Sequence, residues 1–183
     1  MNKNYLFTSA RLGFRDWQEA DIPLMAAINA DPEVMEFFPG LVTSEETAAS
    51  IGRMKNMLAE KGFCYFAVDE LERGEFIGFI GLAWQTYESE FTPCVDIGWR
   101  LAKKYWEKGY ATEGAKRCLE YAFKELGLTN IKATAPKANL KSIRVMEKIG
   151  MKKQLEFIHP RLLGNKKLEN CACYEIEKTT AVL

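Results

Sequence analysis

The stretch YWEKGYATEG at 105–114 sets Gly109 between Lys108 and Tyr110, where a strand-like pattern gives way to a helical one. A glycine there lets the backbone approach a ligand, and the first turn of the following helix offers unpaired N–H groups at the positive end of its dipole. With Lys103 and Lys104 just upstream, strand, loop and helix start together make a seat for an anion such as a phosphate. The same residues also suit a plain tight turn. Neither the GxxxxGK nor the GxGxxG phosphate loop is present. Before this stretch, FTPCVDIGWRL at 91–101 alternates, placing Asp96, Gly98 and Arg100 on one strand face and Val95, Ile97, Trp99 and Leu101 on the other.

Metal and nucleophile chemistry find less support. His159 is the only histidine, which excludes the usual multi-histidine metal centres. The five cysteines, Cys64, Cys94, Cys118, Cys171 and Cys173, are an odd, scattered set, as expected of small apolar side chains in a reducing compartment. Cys171 and Cys173 share a strand face but have no second Cys or His pair nearby, a poor zinc site, so no metal is expected. No GxSxG accompanies His159, which argues against a serine-hydrolase triad.

The elements that must position these residues follow from periodicity. A first strand is expected at 10–17, then a helix capped by Asp21 with Pro23 in its first turn. Thr43 and Glu46 form a capping box ahead of Ile51, Met54 and Leu58 at helical spacing. Strands at 63–69 and 75–84 flank a hairpin loop, ELERG, and the strand at 91–101 follows. Ala111, Ala115, Cys118, Leu119, Ala122, Phe123 and Leu126 mark an amphipathic helix that stops near Gly127. A strand at 130–135, a helix from Asn139 to Ile149 with Gly150 as its C-terminal stop, and strands near 152–158 and 170–177 complete the chain. This order predicts an α+β, or mixed α/β, domain built on one twisted mixed sheet flanked by helices.

Composition bounds the function. The 183 residues are read as a single domain, 1–183, ordinary and globular, with 48% hydrophobic and 27% charged residues. Twenty-five basic residues balance 25 acidic ones, so no global field favours nucleic acid or an anionic membrane. The longest apolar run, FIGFIGLAW at 76–84, falls well short of the roughly 20 residues of a membrane span. The opening MNKNYLFTSARLGF lacks a signal-peptide pattern, so a cytoplasmic protein is expected.

The combination of VDIGWRLAKKYWEKGYATEGAKRCLEYAF with NLKSIRVMEKIGM resembles the acetyl-CoA-binding core of the GNAT superfamily of N-acetyltransferases, in particular the RimJ/RimL-like branch that acetylates ribosomal-protein N-termini. The similarity runs from RLGFRDWQEAD and DPEVMEFF to HPRLLGNKKLENCACYEI. It implies an acyl-CoA N-acyltransferase fold and acetyl-CoA as cosubstrate. It also implies direct transfer in a ternary complex to a primary amine, either a protein N-terminus or a small molecule. The family's pyrophosphate loop, Q/R-x-x-G-x-G/A, is matched by WEKGYA except at Trp106, which assigns Lys108, Gly109, Tyr110, Ala111 and Thr112 to the phosphates. The backbone at Trp99, Arg100 and Leu101 would pair with the pantetheine arm, and Asn139 and Ser142 of the N-x-x-S segment would meet the same arm. Asn139 also suits a plain helix cap.

Asp96 matches the family's acidic position, usually glutamate, and its shorter side chain suits a water relay to the amine; a plain ion pair with a nearby lysine is the alternative role. A terminal α-amine is easier to deprotonate than a lysine by roughly 3 kcal/mol at neutral pH, so a modest base suffices. The tyrosine that protonates the leaving thiolate in many relatives is replaced by Met146, and Ser142 takes its place as candidate general acid. His159, Arg161, Trp17, Phe37, Phe38, Trp84 and Tyr87 are candidates for shaping the acceptor pocket, although CACY at 171–174 departs from the family's HvlY. The alternative from another class is a catalytically silent acyl-CoA-binding sensor or interaction domain. Either a monomer or a homodimer is compatible with the sequence.

Overall fold

In a computed structural model the described residues are 4–179. Their strands form one sheet of eight in the order β1-β2-β3-β4-β5-β6-β8-β7. These are Phe7–Thr8 (β1), Leu12–Arg15 (β2), Tyr65–Glu70 (β3), Glu75–Gln85 (β4), Cys94–Leu101 (β5), Asn130–Pro136 (β6), Lys152–Ile158 (β7) and Asn170–Glu177 (β8). The strand expected at 10–17 is β2, and β1, which pairs with it as a hairpin, lies before the expected bounds. Every neighbouring pair is antiparallel except β5 and β6, which run parallel and share a single rung, Asp96 opposite Lys132. Beyond that rung the two strands part.

Four α-helices accompany the sheet among the described residues: Asp21–Asn29 (α1), Ser44–Lys61 (α2), Tyr110–Glu120 (α3) and Leu140–Lys148 (α4). The Thr43/Glu46 capping box opens α2 as expected. The expected Asp21 cap does not form. Ala20 holds the cap position in helical backbone, and the Asp21 carboxylate turns inward to accept from Arg15 and the Gln18 amide. The helix expected to end near Gly127 does reach it, but its last turn, Tyr121–Glu125, is π-helical. Gly127 then leaves at φ +68°.

Helix α3 lies over the sheet face that carries Ile80, Leu82, Ile97 and Leu101, all buried. Each fully buried side chain of this kind contributes on the order of 1.5–3 kcal/mol. At Gly114 the helix sits so close that a Cβ would come within 2.3 Å of Ile80 Cδ1. The opposite face, with Phe79, Asp96, Gly98 and Arg100, lies under the end of α1 and the segment before α2, where Asn29 and Phe38 touch Arg100. Acid and helix start thus belong to opposite sides of the sheet, joined through the gap between β5 and β6.

Candidate active site

The gap is built by strand parity. Ala102 N–H donates to Ile77 O in β4, so the main-chain groups of residues 100, 98 and 96 also point to β4, while those of 97, 99 and 101 point to β6. With the only rung at Asp96, the N–H and C=O of Trp99 face the opening. This is the edge that an extended ligand arm pairs with as a strand does. Leu101 differs. Its side chain is buried in the core and its carbonyl accepts from Trp106 Nε1 at 2.8 Å. The indole that replaces the family's polar side chain therefore closes the end of the same edge.

At the mouth of the gap, Gly109 takes φ +82° and ψ −1°, the left-handed backbone that only glycine adopts without penalty, and stands at the N-cap of α3. Glu113 N–H makes the first helical bond, to Gly109 O, so the amides of Tyr110, Ala111 and Thr112 lie ahead of it with no carbonyl one turn back. Arg11 braces this loop: its Nη1 donates to Lys108 O, its Nε pairs with Glu113 at 2.7 Å, and its guanidinium lies 4.5 Å from the Tyr110 ring centroid. Lys141 of α4 reaches Glu107 and the Trp106 ring, which sets the loop beside the start of α4.

A cavity of about 350 Å³ gathers Asp96, Trp99, Arg100, Asn139 and Ser142. Leu101 and residues 108–112 do not line it. Asn139 caps α4 by accepting the Ser142 amide at 3.1 Å, and Met146 lies one turn beyond Ser142 on the cavity wall. His159, Arg161, Phe37, Phe38 and Tyr87 also line the cavity, whereas two expected pocket aromatics do not. Trp17 is core, its indole N–H donating to Tyr65 O, and Trp84 lies partly exposed against Lys61. Aromatic type alone does not say which sheet face a residue occupies, and scattered aromatics are core by default.

Asp96 is buried where the strands part. Its Oδ1 accepts from Tyr65 Oη at 2.7 Å and its Oδ2 from Gln85 Nε2 at 3.1 Å. Burial outweighs these bonds and pushes the carboxyl up from 3.8 to about 6, with the Arg161 charge pulling the other way. Such a group is a base near neutrality. Tyr65 and Gln85 were not foreseen. Tyr65 reaches Asp96 across Gly98, where a Cβ would stand 3.1–3.2 Å from the phenol ring. Gly98 and its cross-strand partner Gly81, which itself pairs with Tyr65, are the sequence signal for that hollow.

A buried acid stands at the rung, with an open strand edge beside it and an anion-ready helix start at the mouth. The family model described as "Acetyltransferase (GNAT) domain" matches residues 11–152. The chain belongs to the GNAT acetyltransferase family. It is an acetyl-CoA-dependent acetyltransferase. This acetyltransferase is 36% identical over 148 residues to the uncharacterized N-acetyltransferase YnaD of Bacillus subtilis (strain 168), covering 80% of this chain and 82% of that one. A solved GNAT-family acetyltransferase from Bacillus anthracis superposes with TM-score 0.78 at 30% identity, covering 94% of this chain and 98% of its own. Spermidine N-acetyltransferase from Vibrio cholerae, solved in complex with CoA and spermine, shares the fold with TM-score 0.75 at 17% identity over 93% of this chain and 98% of that one.

Proposed function

We propose that this GNAT enzyme transfers the acetyl group of acetyl-CoA to a primary amine, a protein N-terminus or a small molecule, as in the RimJ/RimL-like branch. Residues 1–183 work as one domain. The five cysteines, all unpaired, accord with a reducing, cytoplasmic setting. The observation that carries the reading is Asp96, buried, held by Tyr65 and Gln85, and sharing a cavity with Ser142 at the point where β5 and β6 part.

In this reading the phosphates of CoA rest on the amides of Lys108 through Thr112. Pantetheine pairs with the main chain of Trp99, runs past Arg100, whose own amide and carbonyl turn to β4, ends at Leu101, and is met by Asn139. When bound, the thioester supplies the acetyl group and a thiolate leaving group. Asp96 takes a proton from the attacking amine through a bridging water, and Tyr65 and Gln85 fix the carboxylate's orientation. Ser142 Oγ, which makes no hydrogen bond among the described residues, is the donor to the departing sulfur. A thiolate titrating near 8.5 needs little help from an acid, so orientation in the gap supplies most of the acceleration.

Acetyl-CoA-dependent thiol release, measured over peptides, amino acids, polyamines and aminoglycosides, tests this. Turnover that falls at least about 100-fold in Asp96→Ala and about 10-fold in Ser142→Ala is expected. Tight CoA binding with no turnover across the panel would instead identify the silent sensor that Met146, standing in the tyrosine's place, makes the competing reading.

A further inference from the structure

The sheet face that carries Asp96 also carries, on the cavity lining, a cation with no counter-ion. Arg100 lies on the same face of β5 as Asp96, four residues on, roughly 13 Å along the strand. Its guanidinium is stacked 3.9 Å from the Phe38 ring centroid and 5.5 Å from that of Phe79. Its one hydrogen bond runs from Nη1 to the neutral Asn29 Oδ1, at 2.6 Å, and its buried Nε has no partner. No carboxylate lies within ion-pair distance among the described residues. The acids of the nearby segment are already engaged, Glu33 with Lys103, Glu36 with Lys167, and Asp31 with the Glu33 amide. Arg161, which also lines the cavity, lies over Tyr87 and makes no ion pair among the described residues, its charge reaching Asp96 only at longer range. Among the described residues Asp96 is the only acid on the cavity lining, against Arg100 and Arg161.

A guanidinium held between two rings and left with a free donor is costly unless a ligand brings the matching charge, and a carboxylate fits that planar fork. We infer that the acceptor is an amine that also bears a carboxylate, the carboxylate held by Arg100 while the amine meets Asp96. This rests on the transfer reading above and deepens it. The best acceptor length, whether that of an α-amino acid, an ω-amino acid or a short peptide, reads the span from Asp96 to the Arg100 guanidinium. The same charge pattern disfavours polyamines, so the acceptor class differs from the one named for the spermidine enzyme of like fold.

The test uses the whole protein and a ladder of amino acids from glycine to an ω-amino acid of eight carbons, with alkylamines and α,ω-diamines of equal length. Wild type is expected to favour the carboxylated amine in kcat/KM by at least about tenfold over both others at the best length, Arg100→Gln to bring that ratio close to one, and Arg100→Lys to keep part of it. Hexanoate, which carries no amine, is titrated calorimetrically in the presence of CoA as a readout independent of turnover. Its binding to wild type and loss in Arg100→Gln support the inference even if no amine is acetylated, in which case the transfer reading alone falls. Diamines equal to or better than amino acids, a ratio unchanged in Arg100→Gln, or hexanoate that fails to bind wild type would each overturn it.

Discussion

At the scale of the residue, Asp96 pits function against stability. Its folded value of about 6 stands above the ordinary 3.8, so the folded protein holds this proton more tightly than the unfolded chain. The stability it lends is complete below about pH 4 and is lost as pH rises through 6, leaving the ionised group costing about 3 kcal/mol at neutral pH. Asp96→Asn is therefore expected to raise stability by about 1–3 kcal/mol at pH 7.5 in urea denaturation, a gain that vanishes near pH 4, while activity collapses. For wild type, log kcat/KM is expected to climb with slope two below about 6, where acid and amine both need to lose a proton, and slope one from there to the acceptor's own value, about 8 for an α-amine and about 10.4 for an alkylamine. The variant keeps slope one throughout. Asp96 was legible because its alternating strand and the family pattern both singled it out. Tyr65 and Gln85 were not, since they come from β3 and β4, and only the register that sets Ala83 against Asp96 and Tyr65 against Gly81 brings them to it.

At the scale of the element, the start of α3 was the most legible feature, because a glycine at a helix mouth states its backbone conformation. Gly109 at φ +82° bears that out. The space around it is nearly open, the nearest atom to an added Cβ being Arg11 Nη2 at 3.4 Å, so substitution acts through backbone strain rather than collision. Gly109→Val is expected to cost about 1–2 kcal/mol and, by tilting the amides of 110–112, to raise KM for acetyl-CoA at least tenfold with kcat much less affected. Steady-state kinetics varied in acetyl-CoA check this. The elements misjudged were those whose ends answer to distant partners. Asp21 has the right type and place for a cap, yet Arg15 outcompetes the helix for it, and the π-helical turn at 121–125 leaves no trace in a periodic apolar pattern.

At the scale of the whole molecule, the buried charge of Arg15 ties the first hairpin to the rest of the fold. Arg15 is 2% exposed and forks to Asp21 of α1 at 2.7–2.8 Å and to Asp69 of β3 at 2.8–3.0 Å. Burial alone would lower the guanidinium's value, but the hydrogen bonds and charges of the two carboxylates together outweigh it and hold the value well above the ordinary one. Removing the cation leaves two carboxylates buried without it, so Arg15→Ala is expected to lose about 3–5 kcal/mol in chemical denaturation, more than any single exposed ion pair contributes. Sequence order and alternation forecast a mixed sheet and its helical crossovers. They could not forecast that the one parallel pair would meet at a single rung.

That rung divides the sheet into β1 to β5 on one side and β6, β8 and β7 on the other, each well bonded within itself. The two halves are thus sewn by one stitch, and whatever lies in the opening serves as the missing strand between them. Occupancy then tightens the whole molecule and not merely a pocket: nucleotide-bearing protein melts later by mass action, and amide exchange at Trp99 and along β6 slows together, as though two smaller sheets had been fused into one.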